Sequence, residues 1–236
     1  MRFGSIAPPY NGSADFEDDY SDNTDDGWAE YSMSGSDIVA FANAYLANNG
    51  PQNFNASSKA LAGDETWTSG ILIADVTLRS SGDAGIMTRV TNAGHGANEA
   101  LGCYAAISST GKVVLELHDG RKNIEIASAP MAVTIGRKYR LKMSNSGSTV
   151  KVWVDGVQVF DTVDSSAHKR GQIGLRTNFA DVTFDNVKYT RTVDKDRFVD
   201  NADNGWKRFG GNFSLTGGAY YLNNANGTGT TGKSSW

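Results

Sequence analysis

The chain of 236 residues has one cysteine, three histidines and four prolines. A single thiol, Cys103, cannot form an intrachain disulfide framework or a zinc site built on cysteines. The three histidines, His95, His118 and His168, are scattered without the spacing of metal ligands. The sequence therefore argues against a disulfide-stapled domain and against a zinc domain.

Long apolar runs and basic clusters are also missing. No stretch of about 18 apolar residues occurs, so we expect no membrane insertion. The formal net charge is −4, and no basic patch offers the positive footprint that nucleic acid requires. The opening "MRFGSIAPPYNGSADF" lacks the apolar core of a signal peptide, and we expect residues 1–14 to be an extension or docking segment. The predicted location is extracellular or on a virion surface.

Helical periodicity is scarce, and the strongest segments alternate with period two, as half-buried strands do. In "TVKVWVDGVQVFDTV" the valines alternate with polar residues around Asp155-Gly156, which predicts a β-hairpin over 148–163. Short strands recur at spacings of roughly 8 to 12 residues, which predicts an all-β antiparallel sandwich or barrel. One short helix of one or two turns is predicted in "ANAYLANN" (42–49).

One acidic stretch occurs twice. "DDYSDNTDDGW" (18–28) recurs as "DRFVDNADNGW" (196–206), with six of eleven positions identical and no gap. A period this long indicates tandem domains rather than a solenoid, whose units are about 20–50 residues. We therefore predict one sandwich over 15–191, and over 192–236 a linker with the first strands of a second, incomplete copy. Either the chain continues, or a neighbouring subunit completes that copy.

The acidic residues raise the question of calcium. An EF-hand loop starting at Asp22 fails, because positions 3 and 12 are Thr24 and Met33; a solvated turn before a core tryptophan is the plainer interpretation. Carboxylates at the two ends of the domain are better candidates, since the first and last strands of a sandwich commonly pair. Glu17, Asp18 and Asp185 are the predicted ligands of one structural Ca²⁺. The alternative is carboxylates that face solvent.

Catalytic motifs are absent from the sequence. No G-x-S-x-G elbow and no phosphate-binding G-x-x-x-x-G-K-[ST] loop occurs. A glycosidase needs two carboxylates on either side of the scissile bond. The nearest match, "LELHDG", offers Glu116 and Asp119, which lie on opposite faces of a strand. We therefore expect that the protein is not an enzyme.

Sugar binding requires an aromatic platform for the apolar sugar face and fixed polar groups for the hydroxyls. Alternation places Lys151 and Trp153 on the face opposite the valines of their strand. Arg89 and Tyr104 could lie on neighbouring strands, and these four are the predicted glycan-binding residues. The alternative is that Trp153 packs under a loop or against the next domain. The Gly-rich loop 92–102 either frames a site or is a plain connection.

The stretch 136–189 resembles the C-terminal half of concanavalin A-like jelly-roll modules, including laminin G-like and family 66 carbohydrate-binding modules. The resemblance is carried by a Tyr-rich strand, the "VKVWVDG" hairpin, the "DSS…GQIGL" return and the closing "FDNV". It implies a two-sheet jelly-roll sandwich, often with a structural calcium near the termini, where Glu17 and Asp185 lie here. It also implies that glycan binding is common and catalysis uncommon.

Three functional hypotheses follow. The first is a non-catalytic, lectin-like module for glycan binding or adhesion in a larger surface assembly, such as a phage fibre or tail. The second is a carbohydrate-binding module of a secreted glycoside hydrolase, and the third is a purely architectural protein–protein domain. The expected partners are a glycan or cell-surface polysaccharide, and protein subunits that contact 1–14 and 192–236. Nucleic acid is not an expected partner.

Overall fold

The computed structural model describes residues 14–32, 57–166 and 168–192. It also describes the backbone of six short strands outside those ranges, at 37–40, 45–48, 207–209, 212–216, 219–223 and 233–235. The chain divides into two compact units, Met1–Val193 and Asp194–Trp236. Within the described residues no helix is long and apolar enough to cross a membrane.

The first unit is built from antiparallel strands. In chain order they are β1 (Phe16–Asp18), β2 (Trp28–Ser32), β3 (Asp37–Ala40), β4 (Tyr45–Asn48), β5 (Ser57–Ala62), β6 (Gly70–Leu78), β7 (Asp83–Thr91), β8 (Leu101–Ser108), β9 (Lys112–Asp119), β10 (Asn123–Pro130), β11 (Lys138–Ser146), β12 (Thr149–Val154), β13 (Val157–Val163), β14 (Gln172–Asn178) and β15 (Val182–Arg191). An eight-stranded sheet has the order β13-β12-β11-β6-β15-β4-β3, with β1 paired to β15. A seven-stranded sheet has the order β10-β9-β8-β7-β14-β5-β2. The predicted all-β, two-sheet jelly-roll sandwich is confirmed.

The main core lies between the two sheets and follows the alternation of the strands. Val150, Val152 and Val154 of β12 are buried, whereas Lys151 and Trp153 between them are half-buried. Burying each apolar side chain contributes about 1.5–3 kcal/mol. The hairpin also forms as predicted, because β12 and β13 pair directly on either side of Asp155-Gly156. Both turn residues have positive φ, 49° and 83°, as a type I′ turn requires.

The predicted helix over 42–49 is wrong where the structure describes it. Tyr45–Asn48 forms β4, whose backbone pairs with Val182–Phe184 of β15 and with Asp37–Ala40 of β3. Pairing on both sides completes the backbone hydrogen bonds of this short segment, which outweighs the weak helix preference of a few alanines and a leucine.

The acidic stretch 18–28 is a turn that anchors a tryptophan, as the plainer interpretation holds. The Asp18 carboxylate accepts hydrogen bonds from the Tyr20 N–H and from Trp28 Nε1, both at 2.8 Å. The Trp28 ring packs edge-on against Phe16, with centroids 5.1 Å apart, and against the main core. Asp22 accepts from the Thr24 N–H in a local turn. The recurrence of Asp and Trp in 196–206 preserves the two partners of that anchor.

The second unit contains β16 (Lys207–Phe209), β17 (Asn212–Thr216), β18 (Ala219–Asn223) and β19 (Lys233–Ser235). Its outer two strands pair with each other, β16 with β19, and its inner two pair, β17 with β18. The first unit has the same pattern, in which β2 pairs with β5 and β3 with β4. This parallel supports the prediction of a tandem copy, which stays a prediction.

Candidate functional site

The four predicted glycan-binding residues do not lie together. Lys151 and Trp153 are on the outer face of the eight-stranded sheet, where Lys151 pairs with Asp161 at 3.0 Å. The Lys142 ammonium lies 4.3 Å from the centroid of the Trp153 ring and covers it. Tyr104 belongs to the other sheet. Alternation predicts which way a side chain points relative to its own strand, but it does not identify the sheet that the strand joins.

Arg89 is a correction to the predicted surface site. It lies at an irregularity in the pairing of β7 with β8, between Thr88 and Thr91, and has φ of 57°. Its side chain is turned into the end of the core and is 2% exposed. There the guanidinium donates to the Gly147 carbonyl at 2.7 Å and pairs with Asp164 at 3.3 Å. Arg89 therefore stabilises the sandwich and does not present a donor to a ligand.

The predicted calcium ligands have other partners. Glu17 pairs with Lys188 at 3.3 Å, and Asp185 pairs with Lys138 at 3.0 Å. Asp18 is engaged by the Trp28 indole, as described above. Neighbouring residues on a strand point to opposite faces, so Glu17 and Asp18 diverge. Two of the three carboxylates are already neutralised by ammonium groups, and this arrangement does not fit a calcium site.

Across the described ranges no group of three or more His, Cys, Asp or Glu side chains is placed to hold a metal ion. We expect chelation with EDTA to change the melting temperature of the first unit by less than about 1 °C. An ion stabilises the fold only through its binding free energy, and two of the three predicted ligands, Glu17 and Asp185, are already paired with lysines. Thermal scans with and without added Ca²⁺ measure this directly. A fall of several degrees on chelation would show that the ends of the domain do hold a cation.

A polar cluster lies on the outer face of the seven-stranded sheet. It consists of six side chains from five of its strands, called here the face cluster: Lys59, Asp83, Tyr104, Glu116, His118 and Arg176. An apolar patch surrounds it, made of Leu61, Met87, Val90, Ala100, Ala106 and Val114. Four of the six members are at most 2% exposed: Lys59, Tyr104, His118 and Arg176. Charged residues are almost never so deeply buried on the outside of a sheet unless they are paired.

Arg176 and Tyr104 form the centre of the face cluster. The Arg176 guanidinium carbon lies 4.6 Å above the Tyr104 ring, a cation–π contact. The Tyr104 hydroxyl donates to Asp83 at 2.9 Å, and Asn178 donates to the other oxygen of that carboxylate at 3.1 Å. Burial, followed by the charge of Asp83, raises the pKa of Tyr104 well above its ordinary value. The phenol therefore stays a neutral donor.

A glycine on β7 allows the Arg176 side chain to lie flat across that strand. Gly85 of β7 pairs with Arg176 of β14 on one side and with Ala106 of β8 on the other. With no side chain at Gly85 and a methyl at Ala106, the guanidinium can extend across β7 to the Tyr104 ring. A Cβ at Gly85 would also run into the backbone of Ala105, so a larger residue there would separate the two strands.

The loop 92–100 crosses the face cluster. The Lys59 ammonium donates to the Gly96 carbonyl at 2.6 Å, and the Arg176 guanidinium donates to the Ala97 carbonyl at 3.4 Å. Farther across the sheet, the His95 ring lies 5.7 Å from the Tyr31 ring of β2. The loop therefore reaches from the end of β7 over β14 and β5 to the edge strand, and covers two cationic groups with carbonyl oxygens.

His118 and Glu116 close the other side of the face cluster on β9. The His118 ring meets the Tyr104 ring edge-on at 5.6 Å, and its Nε2 is 3.7 Å from a Glu116 oxygen. Burial lowers the pKa of His118 below its ordinary value, so the imidazole is neutral at pH 7. Neither nitrogen of His118 has a hydrogen-bond partner, and the same holds for Oε2 of Glu116.

The face cluster thus holds polar atoms that lack partners. Besides those of β9, Nε and Nη1 of Arg176 are buried without a hydrogen-bond acceptor. Each buried polar group left unpaired costs about 1–3 kcal/mol, and such groups are few in native proteins. Several of them around one aromatic ring are what a site needs to accept the hydroxyls or charged groups of a ligand.

An open pocket of about 410 Å³ lies at the end of the same strands. It is formed between the 92–101 loop and the 119–121 turn, and its lining residues are Asn92, Ala93, Gly94, Glu99, Leu101, Asp119, Gly120 and Arg121. Leu101 pairs with Asp119, one residue along the strands from the Gly102–His118 pair. The pocket therefore lies one residue pair beyond the β9 side of the face cluster, although no member of the cluster lines it.

The sequence-based prediction includes Tyr104 of the face cluster but not Lys59 or Arg176. Each is the one charged residue in a short strand, "SSKALA" and "QIGLRTN", and such a residue normally indicates a solvent-facing side. The useful signal is that both strands carry small or apolar residues, Leu61 and Gly174, beside the charge on the same face. A strand with this pattern on its outer face indicates a covered surface.

Comparison with known families gives one match by family model. Residues 52–192 match the family described as galactocerebrosidase, C-terminal lectin domain. None of the curated proteins compared with the chain matches it.

Solved structures share the fold at low sequence identity. Carbohydrate-binding module CBM66 from Bacillus subtilis is 20% identical with a TM-score of 0.59, over 70% of this chain and 96% of that one. A Bacillus subtilis protein with a galectin-like fold is 12% identical with a TM-score of 0.60, over 77% and 97%. The exoplasmic/lumenal domain of VIP36, in its Ca²⁺/Man3GlcNAc-bound form, is 10% identical with a TM-score of 0.55, over 71% and 84%.

Proposed function

The chain belongs to the family of the galactocerebrosidase C-terminal lectin domain, and from this premise we propose that it is a lectin-like, glycan-binding module. The ligand lies on the outer face of the seven-stranded sheet. The observation that carries this proposal is the face cluster, in which buried donors and acceptors without partners surround the Tyr104–Arg176 stack. Solved structures with the same fold include a carbohydrate-binding module and the VIP36 exoplasmic/lumenal domain in its Ca²⁺/Man3GlcNAc-bound form.

Binding follows from the contacts of the face cluster. Oxygen atoms of the sugar replace the carbonyls of Gly96 and Ala97 as acceptors for Lys59 and Arg176, and the loop 92–100 moves aside to admit the sugar. Nε and Nη1 of Arg176 donate hydrogen bonds to further hydroxyls, and Oε2 of Glu116 accepts one from another hydroxyl. The apolar patch around the cluster contacts the C–H face of a ring. No bond is made or broken, and the absence of catalysis stays a prediction.

Two variants on opposite sheets test where the glycan binds. We expect Arg176→Gln to lower glycan affinity by about 10–100-fold, since a hydrogen bond to a charged group contributes about 1.5–3 kcal/mol. Trp153→Ala, on the outer face of the eight-stranded sheet, should change affinity by less than about twofold. A glycan array followed by titration calorimetry on the best binder measures both, and melting temperatures confirm that both variants fold.

The reverse result would move the site to the face predicted from sequence, where Trp153 and Lys151 lie. Saturable binding that neither variant changes would exclude both faces. If no glycan binds to the folded wild-type chain, the architectural hypothesis is favoured and the present proposal fails. The same reactions, analysed for released sugars, test the expectation that the module does not cleave what it binds.

A glycoside hydrolase is the better-supported setting for this module, because the matching family is named for the C-terminal domain of such an enzyme. The alternative, a virion surface protein with contacts through 1–14 and 192–236, stays a prediction, and residues 1–13 lie outside the described residues. A structural Ca²⁺ at Glu17, Asp18 and Asp185 is the sequence-based expectation that the chelation experiment tests.

A further inference from the structure

Two cations are neighbours on the seven-stranded sheet. Arg176 of β14 is the direct cross-strand partner of Lys59 of β5, and both side chains lie on the outer face. Like charges directly opposite each other destabilise a pair of strands. Here both are also buried, at 1% and 0% exposure, where repulsion is screened least. Such a pair needs an anion close by.

The described residues do not supply that anion. No carboxylate of the described part of the chain lies within 4.0 Å of the Lys59 ammonium, which donates to the Gly96 carbonyl. Arg176 has one carboxylate in range, Asp83, at 3.8 Å from Nη1 and beyond hydrogen-bond distance. The Asp83 oxygens are also engaged by Tyr104 and Asn178, and burial raises the pKa of Asp83. The two positive charges are therefore under-compensated.

We propose that the face cluster binds an acidic glycan, whose carboxylate or sulfate group bridges the Lys59 ammonium and the Arg176 guanidinium. The inference rests on the proposed glycan-binding function and names the class of sugar. The anion takes the place of the loop carbonyls of Gly96 and Ala97. Charge-assisted bonds to an anion are roughly twice as strong as bonds to a neutral oxygen, which favours that exchange.

The surrounding charges orient the ligand. Glu116 lies on β9, beyond the strand of Tyr104 from Lys59, whereas Asp83 lies on β7 between them and is engaged by Tyr104 and Asn178. The acidic group is therefore directed to the Lys59 side and neutral hydroxyls to the β9 side. Glu99 of the loop, whose carboxylate accepts from the Gly96 N–H at 2.9 Å, would repel the incoming anion. The loop and its carboxylate must therefore leave together when the ligand binds.

This geometry makes binding depend on pH. Burial and the nearby Arg176 charge lower the pKa of Lys59 to about 8, while Glu99 acts weakly in the opposite direction. The other titratable groups facing Lys59 are Tyr31, His95 and His118. An anion binds the ammonium form, so the affinity is full below pH 8. It falls by up to about tenfold per pH unit above that value.

The test uses matched acidic and neutral sugars on the intact chain. Oligogalacturonate is compared with its methyl ester, and galactose 6-sulfate with galactose, by titration calorimetry at pH 7 and pH 9.5. We expect the acid or the sulfate to bind at least tenfold more tightly than its neutral counterpart at pH 7, and to lose that preference at pH 9.5. The two probe pairs distinguish a carboxylate ligand from a sulfate ligand.

Lys59→Met removes the charge and keeps much of the side-chain volume. It should abolish the preference for the acidic sugar and its pH dependence, without lowering the melting temperature, because an under-compensated buried charge contributes little to stability. Lys188→Met is the matched control on the opposite sheet, where the ammonium pairs with Glu17 and is 47% exposed. The control should bind like the wild type.

Equal affinity for acidic and neutral sugars, with binding still lost in Arg176→Gln, would overturn the inference and leave the proposed function intact. An acid preference that persists unchanged in Lys59→Met would also overturn it. If neither member of a pair binds, and the array is empty as well, the proposed function fails together with the inference.

Discussion

Replacing Asp164 with alanine is expected to lower the free energy of unfolding by about 3–5 kcal/mol, the cost of leaving a buried charge without its partner. The Asp164 carboxylate is 0% exposed and lies 3.3 Å from Arg89 Nη1. It also accepts the Ser166 N–H at 2.8 Å and pairs with Lys169 at 3.2 Å. Without the carboxylate, the Arg89 guanidinium stays buried at the end of the core without its anionic partner. Its remaining partners are the Thr68 and Gly147 carbonyls.

Urea denaturation at pH 7 measures this loss, and Glu125→Gln is the control. Lys112 and Glu125 form an ion pair at 2.9 Å on the same sheet as Arg89, but each side chain is more than 40% exposed. Exposed pairs contribute little to stability, so the control should be nearly neutral. The double variant Arg89→Met/Asp164→Leu should be less destabilised than Asp164→Ala, because neither charge is then left alone. Losses of similar size at both pairs would refute the buried role.

The buried Asp164 carboxylate also makes the free energy of unfolding depend on pH in the acidic range. Burial acts to raise the pKa of the Asp164 carboxyl, but hydrogen bonds from Ser166 and Lys169 outweigh it and hold the pKa below 3.8. A carboxyl whose pKa is lowered by folding stabilises the protein above its unfolded pKa, and this contribution is lost as the pH falls through the folded pKa. The difference between wild type and Asp164→Ala should therefore be constant above about pH 5 and shrink below pH 4.

The strands and the β12–β13 hairpin could be predicted because alternation and turn chemistry are local, whereas the jelly-roll sandwich followed from the resemblance of residues 136–189. Val152 and Trp153 point to opposite sides of one strand whatever surrounds them, and Asp155-Gly156 can adopt positive φ without strain from a large side chain. The sheet to which a strand belongs depends on pairing between distant segments. Alternation alone therefore predicts one shared binding site for Tyr104 and Trp153, although their strands lie in different sheets.

The site could be predicted only in part, since its features arise from irregularity and from covering. Arg89 turns inward at a break in the β7–β8 pairing, with a positive φ that a non-glycine residue rarely adopts. Lys59 and Arg176 are buried because the loop 92–100 folds across them. Nothing in the alternation of their own strands indicates a cover supplied by a loop far along the chain.

A second large loss of stability is expected on substitution of Gly63, which lies beside an aromatic stack formed by Trp67 and Tyr189. The Trp67 and Tyr189 rings are nearly parallel, with centroids 4.7 Å apart and an interplanar angle of 15°. A Cβ at Gly63 would run into the Trp67 ring, and one at Gly70 would run into the Tyr189 ring. The two glycines therefore fit the outer surfaces of the stack, and Trp67 cannot retreat from Gly63 without displacing Tyr189.

Gly63→Ala should accordingly lower the free energy of unfolding by about 2–5 kcal/mol, from about 1–2 for a side chain at positive φ and about 1–3 for overpacking. Gly136→Ala separates the two contributions. Both glycines have φ of +84°, but a Cβ at Gly136 meets nothing within 4 Å. Chemical denaturation should therefore show only the backbone part, about 1–2 kcal/mol, for Gly136→Ala. If the two variants lose the same stability, the Trp67 ring yields to the added methyl and the stack is not tightly packed; a larger loss at Gly63, with a changed near-ultraviolet signal from Trp67, establishes that it is.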